Sequence, residues 1–353
     1  MTNTDHLAPV DKLNGLQTLR AVAAIGVVEA HTGVTFGTWH TFGTFGVDIF
    51  FVLSGFIMAM ISQQEHNSFL VRRLTRILPP YWTFTLITYV AFKVMPSLDA
   101  ASTRGIKPLI ESLLFIPYKR MDGTMFPVLG SGWTLNYEIC FYLIFALALL
   151  ICNKRAIWIA LCLLFMLMAT AHLVSIGTFS AFYGNGIMTE FAAGIISYKI
   201  YSVANPSVCK HLRPLLYCAG IISICLLAWY EGTRFFNPGG SRIWFGVFSY
   251  VLLQSVTLLT RSGKDLSCRV TTLIGDSSYT LYLIHLLLLS VFKHCISHNF
   301  PLLQPTHLFG SIVVIVASVL LSVIIYKNIE NPAHRYINLL ILGGRTNTLR
   351  QHA

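Results

Sequence analysis

The sequence predicts an all-α integral membrane protein, a bundle of about ten transmembrane helices with both termini cytoplasmic. Three observations carry this reading. Hydrophobic residues make up 55% of the chain and charged residues only 11%, against ~25% charged in ordinary soluble domains. Several apolar runs reach the ~20 residues that a helix needs to cross a bilayer. Lys and Arg collect in alternate loops, the asymmetry that orients membrane helices. A mean hydropathy of +0.66 agrees. Long apolar runs, unlike short alternating strands, exclude an outer-membrane barrel.

The spans are expected at about 14–34, 43–62, 79–96, 133–152, 156–175, 184–201, 212–230, 241–260, 274–296 and 308–328. No gap between them exceeds about 40 residues, too short for an ordinary soluble domain. One membrane domain over 1–353 is therefore expected, with short cytoplasmic tails at about 1–13 and 336–353. The first segment reads as an uncleaved helix and not a signal peptide. Loops at 63–78, 153–155, 202–211 and 261–273 hold nine of the 25 Lys and Arg and the two tails hold others, whereas 35–42 and 176–183 hold none. The 97–132 loop is the exception: it carries Arg104, Lys107, Lys119 and Arg120 yet is assigned to the outside. Its 106–117 stretch reads as a short interfacial or re-entrant helix.

The net charge of +11 follows this topology instead of forming one patch, so no nucleic-acid partner is expected. Eight cysteines lie scattered, mostly within apolar segments and without a CxxC pair. They read as small apolar fillers, with no disulfide framework and no metal site.

The first span carries Arg20, Glu29 and His31. Eleven residues of helix separate Arg20 from His31, roughly 16 Å of rise with only about 20° of rotation. One helix wall thus presents a guanidinium and, three turns on, an imidazole. Ionisable groups at membrane depth cost at least ~2.5–3.5 kcal/mol each and usually face a bundle interior or a wet cavity. In the second span Asp48, Phe51, Val52 and Gly55 share a face, setting a carboxylate above a residue small enough for close helix approach. Arg72, Arg73 and Arg76 form a basic cluster, read either as an anchor for phosphates or as a topology signal. Pro79 and Pro80 are then expected to stop one helix and start the next.

The fourth span opens with Trp133, Asn136, Tyr137 and Glu138, and Glu138 and Tyr142 are i, i+4 neighbours. In the sixth, Gly186, Glu190 and Gly194 recur at every fourth position, a small-residue packing face with one carboxylate. Ser278, Tyr282 and His285 make a polar stripe in the ninth, and the tenth is expected to close at Tyr326–Pro332. No span is expected to break near its middle. Histidines, carboxylates and arginines at membrane depth mean a transporter with charged relays or an intramembrane enzyme, and the lack of a broken span disfavours the transporter. Histidine with a carboxylate suits general-base work on a hydroxyl.

Five motifs in order resemble the acyltransferase-3 family of bacterial membrane O-acyltransferases. They are Leu19-Arg20 with His31; Gly46-Val-Asp48-Ile-Phe-Phe-Val-Leu-Ser-Gly-Phe56; Arg73-Leu-Thr-Arg76-Ile-Leu-Pro-Pro-Tyr81; Trp133-Thr-Leu-Asn-Tyr-Glu138; and Ser277-Ser-Tyr-Thr-Leu-Tyr-Leu-Ile-His285. The Gly132–Glu138 form resembles the branch that acetylates exopolysaccharides. Glu29 departs from the family pattern, which commonly has an apolar residue there. The resemblance implies a multi-pass protein of the bacterial inner membrane that moves acetyl from cytosolic acetyl-CoA, a co-substrate, to a hydroxyl of a surface polysaccharide or its lipid-linked repeat unit. It implies no tightly bound cofactor. His31, Glu138 and Asp48 would be catalytic, with Arg20, Arg73, Arg76 and Tyr81 on the donor. Glu29, Trp133, Asn136, Ser278, Tyr282 and His285 would line the acceptor pocket. Transport of a lipid-linked sugar, or acyl transfer to a small molecule or lipid, are the alternatives.

Overall fold

A computed structural model describes residues 13–36, 39–40, 43–63, 69–98, 105–174, 177–234, 242–296 and 300–342. In chain order the helices are α1 (Asn14–Thr32), α2 (Gly46–Ser62), α3 (Phe69–Val94), α4 (Ile106–Leu113), α5 (Trp133–Ile151), α6 (Ala156–Leu173), α7 (Gly177–Tyr183) and α8 (Met188–Val203). Then come α9 (Pro206–His211), α10 (Arg213–Arg234), α11 (Ile243–Arg261), α12 (Arg269–Asp276), α13 (Ser278–Val291), α14 (Leu308–Ile325) and α15 (Asn331–Leu342). The remaining regular element among the described residues, apart from short 3-10 and π turns, is a two-residue antiparallel pair, Thr35–Phe36 with Trp39–His40.

Each predicted span contains a helix over most of its described residues. Among the described residues, five stretches are long and apolar enough to cross a membrane: Gly130–Ile151, Asn153–Leu173, Arg213–Gly232, Ile243–Arg261 and Leu308–Leu340. The α12–α13 pair makes six if it counts as one span. Large apolar side chains such as Leu150, Met166, Ile221 and Leu320 lie on the outer surface, as a lipid-facing bundle requires. The chain is a multi-pass membrane protein.

The centre of the bundle is α2, which packs on α1, α5, α8 and α11. Asp48, Phe51, Val52 and Gly55 are all buried, on the face expected. Backbone contact makes this possible: a Cβ on Gly55 would stand 2.1 Å from the Phe191 carbonyl oxygen, and one on Gly194 would stand 1.9 Å from that of Val52. Around this contact Phe191 stacks on Phe141 at 4.2 Å and packs on Phe51 at 4.9 Å between ring centroids.

Four expectations need correction. Pro79 and Pro80 do not end a helix, because α3 runs through both. Proline's fixed φ suits a helix, and two hydroxyls bond the backbone there: Tyr279 Oη of α13 donates to the Ile77 carbonyl at 2.9 Å and Thr83 Oγ1 to that of Pro79 at 2.8 Å. The ninth helical segment starts earlier than 274, in α12, and bends by 67° at Ser277, close to the expected start of the span and not near its middle. The tenth does not close at Pro332. A π-helical turn, Tyr326–Glu330, carries it into α15, where Pro332 falls in the first turn and needs no N–H partner. Gly186 lies outside α8 in a left-handed turn (φ 79°), with nothing within 4 Å of where a Cβ would stand, so it plays no part in the packing face.

Candidate active site

Two cavities share one wall. The first, about 860 Å³ including its open mouth, takes Arg20 from α1, Arg73 and Arg76 from α3, Glu138 and Tyr142 from α5 and Ser278 from α13. Three guanidiniums against one lining carboxylate leave it positive. The Arg20 charge feels Asp276, Glu138 and Glu330, as well as repulsion from Arg76. Thr280 Oγ1 in turn donates to Glu330. Glu138 accepts from Tyr142 Oη, its i, i+4 neighbour, and from Ser54 Oγ at 3.4 Å. Such a set suits phosphate groups, which guanidinium forks bind with paired, charge-assisted hydrogen bonds.

The second cavity, about 1040 Å³ counted the same way, is lined by His31, His285, Trp133, Phe126, Arg120 and Arg242 among others. His31 Nδ1 lies 2.7 Å from the Val27 carbonyl and His285 Nδ1 lies 2.7 Å from that of Tyr282. A carbonyl only accepts, so each Nδ1 carries its proton and each Nε2 keeps a lone pair. His31 is therefore in the tautomer a general base needs. Arg242 bonds both oxygens of buried Asp48 at 3.3 Å. Arg120 donates from Nε to the Phe126 carbonyl at 2.7 Å, and to that of Pro127. The turn that presents Arg120 is tied by Asp122, whose carboxyl is held below its ordinary range by bonds from the Thr124 hydroxyl and backbone N–H.

Val47 and Tyr282 line both cavities. Tyr282 Oη and Thr134 Oγ1 share a hydrogen bond of 2.8 Å, which pins the tyrosine between them.

The predicted residues are sorted by this division. Arg20, Arg73, Arg76, Glu138 and Ser278 line the first cavity, His31, Trp133 and His285 the second, and Tyr282 both. Tyr81 does not line the donor side: it is buried, stacked on Phe115 at 4.7 Å, with its hydroxyl on the Ser112 carbonyl at 3.0 Å, so it docks α4 on α3. Asp48 is not among the lining residues of either cavity and bonds Arg242, which lines the second. Neither Asn136 nor Glu29 is among the lining residues, and Glu138 falls with the arginines, away from the His31 cavity. Arg120, Thr134 and Arg242 were missed as site residues. Arg242 has one sequence signal, a basic residue at the very start of a span. Among the described residues no cluster of His, Cys, Asp and Glu is built to hold a metal ion.

An imidazole base beside a cationic cavity fits group transfer from a phosphate-bearing donor. Comparison with known families decides the class, because an acyltransferase-domain family profile matches residues 13–327. The chain belongs to the acyltransferase-3 family. It is therefore an enzyme, an acyltransferase. It is 27% identical over 312 residues to the exopolysaccharide production protein ExoZ of Rhizobium meliloti, covering 86% of this chain and 94% of that protein. It is 24% identical over 361 aligned positions to the O-acetyltransferase OatA of Staphylococcus aureus, covering 92% of this chain but only 57% of OatA. No solved structure matches.

Proposed function

We propose that the protein is an inner-membrane O-acetyltransferase that moves acetyl from cytosolic acetyl-CoA to a hydroxyl of a surface polysaccharide or its lipid-linked repeat unit. The observation that carries the reading is the shared wall: a triple-arginine cavity and a histidine cavity meet at Tyr282. ExoZ and OatA, by their names, support the polysaccharide and acetyl parts. The ten helical positions serve as spans with both termini cytoplasmic. On that topology the N-terminal half of α1 sets Arg20 toward the cytosol, and its C-terminal half sets His31 toward the opposite face. Arg20, Arg73 and Arg76 hold the CoA phosphates, and the pantetheine arm runs up the Arg20 wall to Tyr282.

The acceptor enters from the other face, with Trp133 and Phe126 offering flat apolar surfaces to a sugar ring. His31 Nε2 takes the hydroxyl proton as the oxygen attacks the thioester carbon and the thiolate leaves. Glu138 steadies the donor arginines, and Asp48 acts at one remove by fixing Arg242. Removing a positioned general base typically costs ~10²–10⁴ in rate. Purified His31→Ala should lose acetyl-CoA turnover by that factor while keeping the wild-type elution profile. In cells, the matching acetyl resonance of the surface polysaccharide should vanish from its NMR spectrum in a deletion strain and in His31→Ala alike. Wild-type acetylation by His31→Ala would refute the assignment, and normal acetylation in the deletion strain would exclude this acceptor class.

A further inference from the structure

His285 is unused by the reaction just described, and its surroundings are unusual. It is 1% exposed, its Nδ1–H is committed to the Tyr282 carbonyl, and its Nε2 has no hydrogen-bond partner among the described residues. A buried acceptor without a partner is unfavourable, because it has lost water and gained no bond in exchange. The nearest ring is that of His31, with centroids 5.0 Å apart and planes at 64°. Both rings line the one cavity, so a proton held by one imidazole lies within a small side-chain movement of the other. His31 has the same arrangement, with Nδ1–H on a main-chain carbonyl and a lone pair on Nε2. The pair holds two lone pairs and no proton between them.

Resting on the function proposed above, we propose that His285 is a proton-relay residue acting through His31, the two imidazoles sharing one proton between their Nε2 atoms during each turnover. The acceptor oxygen forms a bond to the acetyl carbon as the carbon–sulfur bond breaks, and that bond's electron pair leaves on the CoA sulfur. The hydroxyl proton passes to His31 Nε2, is shared with His285 Nε2, and ends on the thiolate as the CoA thiol. The charges around the pair favour a single shared proton over two imidazolium ions. Arg120 and Arg242 line the same cavity, and Lys293 beyond α13 places a further positive charge near His31. Asp48 neutralises part of Arg242, and Tyr282 is the other titratable group that touches His285.

His285→Asn tests this, because its amide N–H can keep the bond to the Tyr282 carbonyl while nothing remains at the Nε2 position. His285→Gln, which sets an amide near that position, is the second variant should Asn unsettle the fold. The assay is acetyl transfer from acetyl-CoA to polysaccharide purified from a deletion strain, with enzyme in nanodiscs. The expected result is a kcat loss of about 10²-fold in His285→Asn, at the low end for proton-transfer groups. KM for both substrates should stay within about twofold, since a residue acting through His31 leaves binding untouched. Rates in H2O/D2O mixtures should change from a curved dependence on isotope fraction to a linear one. The double variant with His31→Ala should be no slower than His31→Ala alone. Wild-type kcat in His285→Asn, or losses that multiply in the double variant, would overturn the relay while leaving His31 as base. Full activity in His31→Ala would instead overturn the functional reading on which the relay rests.

Discussion

The α2–α8 contact is tight enough to give one substitution a definite sign. A Cβ on Gly194 would stand 1.9 Å from the Val52 carbonyl oxygen, 2.8 Å from Phe56 N and 2.9 Å from Gly55 Cα. All three are backbone atoms, so no side chain can rotate away. Restoring ordinary contact of about 3.4 Å requires α2 to move by roughly 1.5 Å, in a core that interdigitates at crystal-like density. Overpacking by one methyl usually costs ~1–3 kcal/mol, and a backbone clash falls at or above the upper end. The same helix presents Val47, Phe50 and Ser54 to the donor cavity, so displacement also alters the site. Gly194→Ala is expected to lower the thermal midpoint in mild detergent by many degrees and to reduce the yield of monodisperse protein. Gly220→Ala is the matched control. Its Cβ would sit 3.5 Å from Ser255 Cβ, an ordinary contact, and a helix-interior Gly→Ala gains up to ~1 kcal/mol in propensity. It should hold or raise the midpoint. Equal midpoints for the two variants would refute the argument from backbone contact.

Arg76→Ala is expected to raise the KM for acetyl-CoA by about 10–100-fold, since a charge-assisted hydrogen bond to phosphate contributes ~1.5–3 kcal/mol and each 1.4 kcal/mol is tenfold. Steady-state kinetics at fixed ionic strength check this, and an unchanged KM leaves Arg76 as a topology signal only. Glu231 accepts from the backbone N–H of Gly43 at 2.6 Å and of Thr44 at 2.7 Å, tying α10 to the residues just before α2. Glu231→Gln keeps one accepting oxygen and sets an NH2 donor against the other backbone N–H, so a loss of about 2 kcal/mol is expected. A denaturation midpoint identical to wild type would show that the carboxylate charge contributes nothing there.

Much of this molecule is legible because bilayer physics is local. Long apolar runs mark helices wherever they occur, and the Asp48–Gly55 face is a periodicity that needs no partner to be seen. The failures arise where a distant element supplies what the local sequence lacks. Pro79 and Pro80 read as a boundary because they remove two N–H donors. The helix continues because proline's fixed φ is a helical one, and the hydroxyl of Tyr279 on the Ile77 carbonyl, from 202 positions away, ties this stretch to α13. Gly186 matched a four-residue period by coincidence, since its backbone is left-handed and belongs to the turn before α8. The break at Ser277 carries no Pro, and only the packing of α12 on α1 makes it visible.

The site divides along the same line. Residue types were readable, so Arg20, Arg73 and Arg76 stand together, as do His31 and His285. Pairings were not: Asp48 meets Arg242 across 194 positions and Thr134 meets Tyr282 across 148. Two placements depend on that: Asp48 is a buried carboxylate bonded to an arginine, and Glu138 follows α5 to the arginine side. The wall of α1 does reach from Arg20 to His31, as its spacing requires, but it runs past two chambers and not one. Tyr282 sets the division. Its hydroxyl is fixed by Thr134 while its main-chain carbonyl fixes the tautomer of His285. The position of the divider and the lone pair of the second imidazole thus depend on a single residue of α13, and any shift of that turn would disturb both.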